Sequence, residues 1–216
     1  MKNYVITILS NEKSVKVAER CIESGNKFDI DIKKFKAITP KDNPHAMMMQ
    51  ESINPYDFNN DKYSRIENMQ SCFLSHYFLW KRSVELNEEI TIFEHDAVIV
   101  DNIPNIEFKG CVNFGRPSYG KFVTPKNGIQ KLVSKQYFPG AHAYRVNPEG
   151  AKKLIERSKI KSGPADVFLH NMNFNFLEEY YPWPVIADDS FTTIQKETGC
   201  LAKHNYQKDK NSFQIL

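Results

Sequence analysis

Residues 68–101, NMQSCFLSHYFLWKRSVELNEEITIFEHDAVIVD, decide the fold. Met69, Cys72, Phe73, His76, Trp80 and Val84 recur at helical spacing and predict one inward face of an amphipathic helix. Ile90 to Phe93 is a β-branched and aromatic run of the length of a core strand. It stops on Glu94, His95 and Asp96, and the apolar run resumes from Ala97 to Val100. Side chains alternate along an extended chain, so Glu94 and Asp96 are expected on one side and His95 on the other. Two anions beside an apolar strand are unfavourable unless a cation lies between them. Mn²⁺ or Mg²⁺, shared with a phosphate-bearing ligand, suits such oxygen ligands. A solvated strand end with two carboxylates is the plainer alternative.

Upstream, Tyr4 to Leu9 reads as a short strand, with Ser10 and Asn11 placed to cap a helix whose buried face is Val15, Ala18, Cys21 and Ile22. Gly25 suits that helix's C-terminal cap, and Phe35 to Ile38 is the second strand. A strand–helix–strand opening predicts a Rossmann-like nucleotide-binding half, with its ligand at the carboxyl ends of the strands. It has no glycine-rich fingerprint. Residues 40–66 carry three prolines, repeated Asn and Asp and a Met47–Met49 run, and read as a long loop or lid insertion.

Downstream, Val112 to Phe114 is a short strand and 115–128 a Gly- and Pro-rich loop. Gln130 to Phe138 and Ala141 to Val146 are strand candidates. Asn147 and Pro148 start a helix. A second helix is expected from Pro164-Ala165-Asp166 toward Tyr180, ended by Tyr181-Pro182-Trp183-Pro184, with a last strand at Val185 to Ala187. From Lys203 the chain is polar and Lys-rich. The domain reading is therefore one unit over 1–202 and a polar tail over 203–216.

A 41% apolar share is enough for a core and excludes disorder of the whole chain. With no signal-peptide pattern and no run of about 20 apolar residues, a soluble, cytoplasmic protein is expected. The four cysteines, at 21, 72, 111 and 200, show no Cys-x-x-Cys pair and read as reduced thiols. Net charge is only +3, yet no Asp or Glu occurs from Phe108 to Pro148. That stretch carries Lys109, Arg116, Lys121, Lys126, Lys131, Lys135 and Arg145, interleaved with Phe114, Tyr119, Phe122, Tyr137, Phe138 and Tyr144. It suits a polyanionic acceptor or nucleotide phosphates, with Arg116 and Lys121 as acceptor-binding candidates. A solvated basic face is the alternative.

The segment CFLSHYFLWKRSVELNEEITIFEHDAV (72–98) resembles the signature of glycosyltransferase family 25. PGAHAYRVNPEGAKKLIE (139–156) and GPADVFL (163–169) resemble two later motifs of that family, in the right order. Two departures are His95 at the middle of the acidic triplet and Met69 where the family carries glutamate.

The resemblance implies a single GT-A-type α/β domain with a mixed sheet. The implied activity is metal-dependent, inverting transfer of a hexose or pentose from a nucleotide-sugar, UDP-linked by expectation, to an acceptor hydroxyl. Glu94 and Asp96 would hold the ion against the sugar diphosphate. Thr7, Leu9, Ser10, Ser75 and His76 would line the donor site, although Thr7 to Ser10 also read as an ordinary strand end and His76 as a core histidine. Asp166 is the candidate base, with Asp188 and Asp189 in reserve. Its place in a first helical turn is also favoured by the helix dipole alone. His142 and Tyr144 fall near the acceptor. The resemblance implies a lipopolysaccharide-type glycan as acceptor, and the basic, aromatic run leaves open a hydroxymethylated base in DNA. A non-enzymatic nucleic-acid-binding protein is the alternative from another class.

Overall fold

The computed structural model describes residues 1–59, 62, 64–188, 191–196 and 214–216. Its centre is β1 (Lys2–Thr7), which runs parallel to β2 (Lys33–Lys36) on one side and to β3 (Ile90–Glu94) on the other, with Ile6 opposite Glu94. Between β1 and β2 lies α1 (Glu12–Asn26), begun by Asn11, whose side chain accepts from Ser14 N. α2 (Pro44–Gln50) and the 21-residue α3 (Ile66–Leu86) precede β3. Then follow β4 (Ala97–Ile99), β5 (Cys111–Asn113), β6 (Gly128–Lys131), β7 (Ala143–Val146), α4 (Pro148–Ile160), the single turn α5 (Ala165–Phe168), β8 (Leu177–Tyr181) and β9 (Val185–Ala187). Two short strands, β10 (Phe191–Thr192) and β11 (Gln214–Ile215), pair in parallel.

The main sheet has seven strands in the order β2-β1-β3-β7-β5-β8-β6. It is mixed: β7 is antiparallel to both β3 and β5, β5 and β8 are parallel, and β6 is antiparallel to β8. This is the mixed α/β architecture expected from the sequence. Alternation along the strands feeds two cores. Tyr4, Ile6, Ile90, Ile92 and Tyr144 join Phe73, Leu74, Trp80 and Leu154 of α3 and α4 on one face. Val5, Phe93, Val112 and Ala143 join Ala18 and Cys21 of α1 on the other. Each side of the sheet is thus sealed by helix, as a parallel segment requires.

Several expectations are corrected. Residues 40–59 are not an irregular loop: α2 is flanked by single 3₁₀ turns at Pro40–Asp42 and Pro55–Asp57, and Met48, Ile53 and Phe58 are buried in the main core. The strand expected over Gln130–Phe138 stops at Lys131. Beyond Leu132, Glu179 Oε1 accepts from both Val133 N and Ser134 N at 2.7 Å, taking those amides out of the ladder. The helix expected to run from Pro164 toward Tyr180 ends at Phe168, where His170 N turns back to Phe168 O at 2.8 Å. Leu177–Tyr181 is strand instead.

Gly25 is not a left-handed cap. It sits inside α1, where a Cβ would lie 2.6 Å from Ile32 Cδ1, and Lys27 closes the helix. Gln214 and Ile215 of the expected polar tail form β11, and 203–213 lie outside the described residues, as does Cys200. Cys21, Cys72 and Cys111 are free thiols. Among the described residues no helix is long and apolar enough to cross a membrane.

Candidate active site

Parallel β1 and β3 deliver their carboxyl ends to a cleft of about 720 Å³. One wall is the chain after β1 and β2, with Ile8, Ser10, Asn11, Thr39 and Lys41. The floor is the end of β3 and the α3 residues Cys72, Ser75 and His76, and Tyr119, Tyr137 and Asp166 line the opposite side.

The acidic triplet is bent rather than extended. β3 ends at Glu94, and His95 and Asp96 form the turn into β4. The turn sorts the three side chains. His95 Nδ1 lies 2.9 Å from Ser14 Oγ on α1, and its ring meets Phe191 at 5.3 Å between centroids, so it braces the cleft wall. Glu94 and Asp96 both line the cleft, the former with 27% of its side chain exposed, the latter only 8% exposed. Burial, followed by the negative charges of Asp96 and Asp166, holds the Glu94 carboxyl well above the usual carboxylate range. Three carboxylates therefore share one cavity from β3, the following turn and α5.

α3 reaches the same carboxylate from below. His76, fully buried, places Nε2 3.1 Å from Glu94 Oε1 and Nδ1 2.9 Å from the Tyr144 hydroxyl. Cys72 Sγ donates to the same Oε1 at 3.9 Å. Burial and the Glu94 charge push the Cys72 thiol well above its ordinary value, and burial pulls His76 down to about 4. Cys72, His76 and Glu94 are, among the described residues, a trio whose ligating atoms lie within 4.8 Å of one another. Here both His76 nitrogens and the thiol take part in hydrogen bonds, which knit the trio into one polar cluster. Glu94 and Asp96 offer carboxylate oxygens to the cleft, the ligand type that a hard divalent ion such as Mn²⁺ or Mg²⁺ takes.

The other sequence candidates divide. Ser10 lines the cleft. Thr7 does not: it is buried in the sheet, its hydroxyl donating to Val5 O at 3.1 Å, and Leu9 is 52% exposed away from the cleft. Strand alternation turns Thr7 inward, and the chain leaves the sheet before Leu9. Ser75 lines the cleft but is a tie, donating to Ser71 O and accepting from Ile38 N, which fixes the end of β2 to α3.

Asp166 lines the cleft, with Oδ2 accepting from Tyr119 Oη and Oδ1 from Val167 N at 2.9 Å. Asp188 is drawn off by Arg20 in a 2.9 Å ion pair, and Asp189 lies outside the described residues. Tyr144 is interior, where Trp80 Nε1 donates to its hydroxyl at 2.8 Å. His142 is also buried, packed so closely on Gly115 that a Cβ there would meet its Nε2 at 2.6 Å. Arg116 and Lys121 are exposed on the loop after β5 and are not among the cleft-lining residues, Arg116 lying over the Phe122 ring. Thr39 and Lys41 are not site candidates from the sequence, and Tyr119 and Tyr137 stand there only among the aromatics of the basic run. The strand-end rule points to the region of Thr39 and Lys41, and the basic, aromatic run contains both tyrosines without marking which of its rings reach the cleft.

The family model described as glycosyltransferase family 25 (LPS biosynthesis protein) matches residues 1–116, from β1 through β5 and the residues just after it. The chain belongs to this family. It is also 30% identical over 125 residues to a glycosyltransferase 25 family member of Aedes aegypti, a match covering 50% of this chain and 20% of that relative. The chain thus spans about a fifth of the length of that relative. Among solved structures, CTP:phosphocholine cytidylyltransferase from Streptococcus pneumoniae aligns over 87% of this chain and 92% of its own, at TM-score 0.39 and 12% identity.

Proposed function

We propose that this chain is a GT-A-type glycosyltransferase. It moves a hexose or pentose from a UDP-linked donor to a hydroxyl of a large anionic acceptor, with inversion, in the cytoplasm or at its membrane face. The observation that carries this reading is the meeting of Glu94, Asp96 and Asp166 in one cleft at the carboxyl ends of parallel strands, in a chain of family 25.

The nucleotide would lie along Ser10, Asn11, Thr39 and Lys41, where the N-terminus of α1 and a lysine favour negative charge. Glu94 and Asp96 would hold Mn²⁺ or Mg²⁺, which would supply positive charge to the diphosphate that leaves the anomeric carbon. Asp166 takes the proton of the acceptor hydroxyl as its oxygen attacks the anomeric carbon from the opposite face. Tyr119 orients that carboxylate through its hydrogen bond.

On the acceptor side Lys135 Nζ lies 5.3 Å from the Tyr119 ring centroid and 5.4 Å from that of Tyr137, a cation beside two aromatic rings. This suits a sugar that carries phosphate or carboxylate nearby. A lipopolysaccharide-type glycan is the acceptor we infer, with a hydroxymethylated DNA base as the other arm of the test. The basic run supports a purely nucleic-acid-binding role less well, because Arg145, part of that run, is buried in the core.

The experiment is a thermal-shift screen of UDP-sugars with and without Mn²⁺, followed by transfer assays on both acceptors. Stabilisation that requires UDP-sugar and Mn²⁺ together, lost in Asp96→Ala, is expected. A melting temperature indifferent to every UDP-sugar and to Mn²⁺ would remove the proposal.

A further inference from the structure

Behind the cleft floor lies a file of polar groups that a transferase of this kind does not need for binding: Trp80, Tyr144 and His76, all fully buried, leading to Glu94. From these bonds we infer that His76 is a positioning residue for Glu94, locked in its Nε2–H tautomer by Tyr144 and Trp80, and that it does not ligate donor or metal. The inference rests on the reading of Glu94 as the group that meets the metal and diphosphate.

The direction of each bond follows from what each group can do. An indole N–H only donates, so the Trp80 contact at 2.8 Å makes the Tyr144 oxygen an acceptor. Tyr144 has one proton of its own and a second polar contact, His76 Nδ1 at 2.9 Å. If that proton goes to Nδ1, the imidazole hydrogen sits on Nε2 and points along the 3.1 Å contact to Glu94 Oε1. The reverse order would have Tyr144 accept from both partners. Its buried O–H would then lack an acceptor among the described residues, an arrangement buried hydroxyls avoid.

The register of α3 makes the geometry possible. Cys72 and His76 are one turn apart on one face, and both deliver their hydrogens to Oε1. Oε1 is thereby committed to the helix, and Oε2 is the oxygen left to meet a ligand. Strand pairing supplies the rest: β3 and β7 are antiparallel neighbours, with Ile92 opposite Tyr144, which sets the phenol beneath the end of β3. A carboxylate that would otherwise rotate freely is thus held in one orientation, the role that outer hydrogen bonds play around metal ligands.

The test uses the full chain labelled with ¹⁵N in its histidines, read by long-range ¹H–¹⁵N correlation, with Mn²⁺ affinity measured in parallel by paramagnetic relaxation. Wild type should give the Nε2–H pattern for His76. Tyr144→Phe should move the proton wholly or partly to Nδ1 and weaken Mn²⁺ binding roughly tenfold or more. His76→Gln, whose amide nitrogen reaches the place of Nε2, should retain most of the Mn²⁺ affinity that His76→Leu loses. This pair keeps the question open if Tyr144→Phe does not fold. An Nδ1–H tautomer in wild type, or equal Mn²⁺ affinity in the Gln and Leu variants, would overturn the inference. Expected tautomers without Mn²⁺ binding in any protein would sink the metal reading and leave the hydrogen-bond file standing.

Discussion

The hydroxyl of Tyr119 donates to Oδ2 of Asp166, joining the loop after β5 to the first turn of α5 across the mouth of the cleft. Asp166 in turn raises the phenol of Tyr119, after burial, well above its ordinary value, so Tyr119 stays a donor throughout the usable pH range. If Asp166 is the base, Asp166→Asn should reduce kcat by roughly 10²–10⁴-fold with little change in melting temperature. Tyr119→Phe should lose less, about tenfold, because the carboxylate remains and keeps only its bond from Val167 N. Steady-state kinetics on both variants decide this; an Asp166→Asn enzyme within twofold of wild type excludes the assignment.

Arg145 has a different fate from the rest of the basic run. It is 1% exposed, with Nε donating to Thr91 Oγ1 at 3.1 Å and one terminal nitrogen donating to Pro104 O at 3.2 Å, over the ring of Phe114. Arg145→Ala should destabilise the fold by on the order of 3 kcal/mol, since it leaves a cavity and unpaired acceptors. The salt dependence of acceptor binding should not change. Urea titration and binding at two salt concentrations separate the two effects.

Asp57 ties the segment before α3 to the end of α4. Its carboxylate accepts from Ser162 N at 2.8 Å and from Lys161 Nζ at 2.9 Å. Burial alone would raise its pKa, but these bonds outweigh it and the carboxyl lies below its ordinary 3.8. A depressed folded-state value means the stabilisation is present above the unfolded value and is lost as pH falls from there through the folded one. Asp57→Ala should therefore cost about 1–3 kcal/mol at neutral pH. It should also flatten the decline of stability below pH 3.8. Denaturation curves at several acidic pH values test both statements.

Gly150 shows where helix propensity gives the wrong sign. It lies in α4, and alanine there should gain up to about 1 kcal/mol by propensity. Its Cβ, however, would stand 2.2 Å from Gly110 O, a backbone atom that cannot swing aside. Gly150→Ala should be clearly destabilising. Gly25→Ala, facing the flexible end of Ile32 at 2.6 Å, should be the milder change. Thermal melts of the two variants rank them.

Much of the fold was legible because periodicity is local. The face of Met69, Phe73, His76 and Trp80 and the run Ile90 to Phe93 became α3 and β3, and Asn147-Pro148 opened α4. The errors came where a distant group captures the backbone. Glu179 takes the amides that would have extended β6, and buried Met48, Ile53 and Phe58 fold a stretch whose composition reads as loop.

The sequence by itself determined the strand–helix–strand opening, the acid-tipped central strand and the family, because these depend on residue order and short spacings. Only the tertiary structure decided which groups share the cleft. It brought Asp166 and Tyr119 to face Glu94, turned His95 toward α1, and moved His142, Tyr144 and Arg145 inside. The reason is physical: direction and burial of a side chain depend on strand pairing and on turns between elements far apart in the chain, and no window of sequence contains those partners.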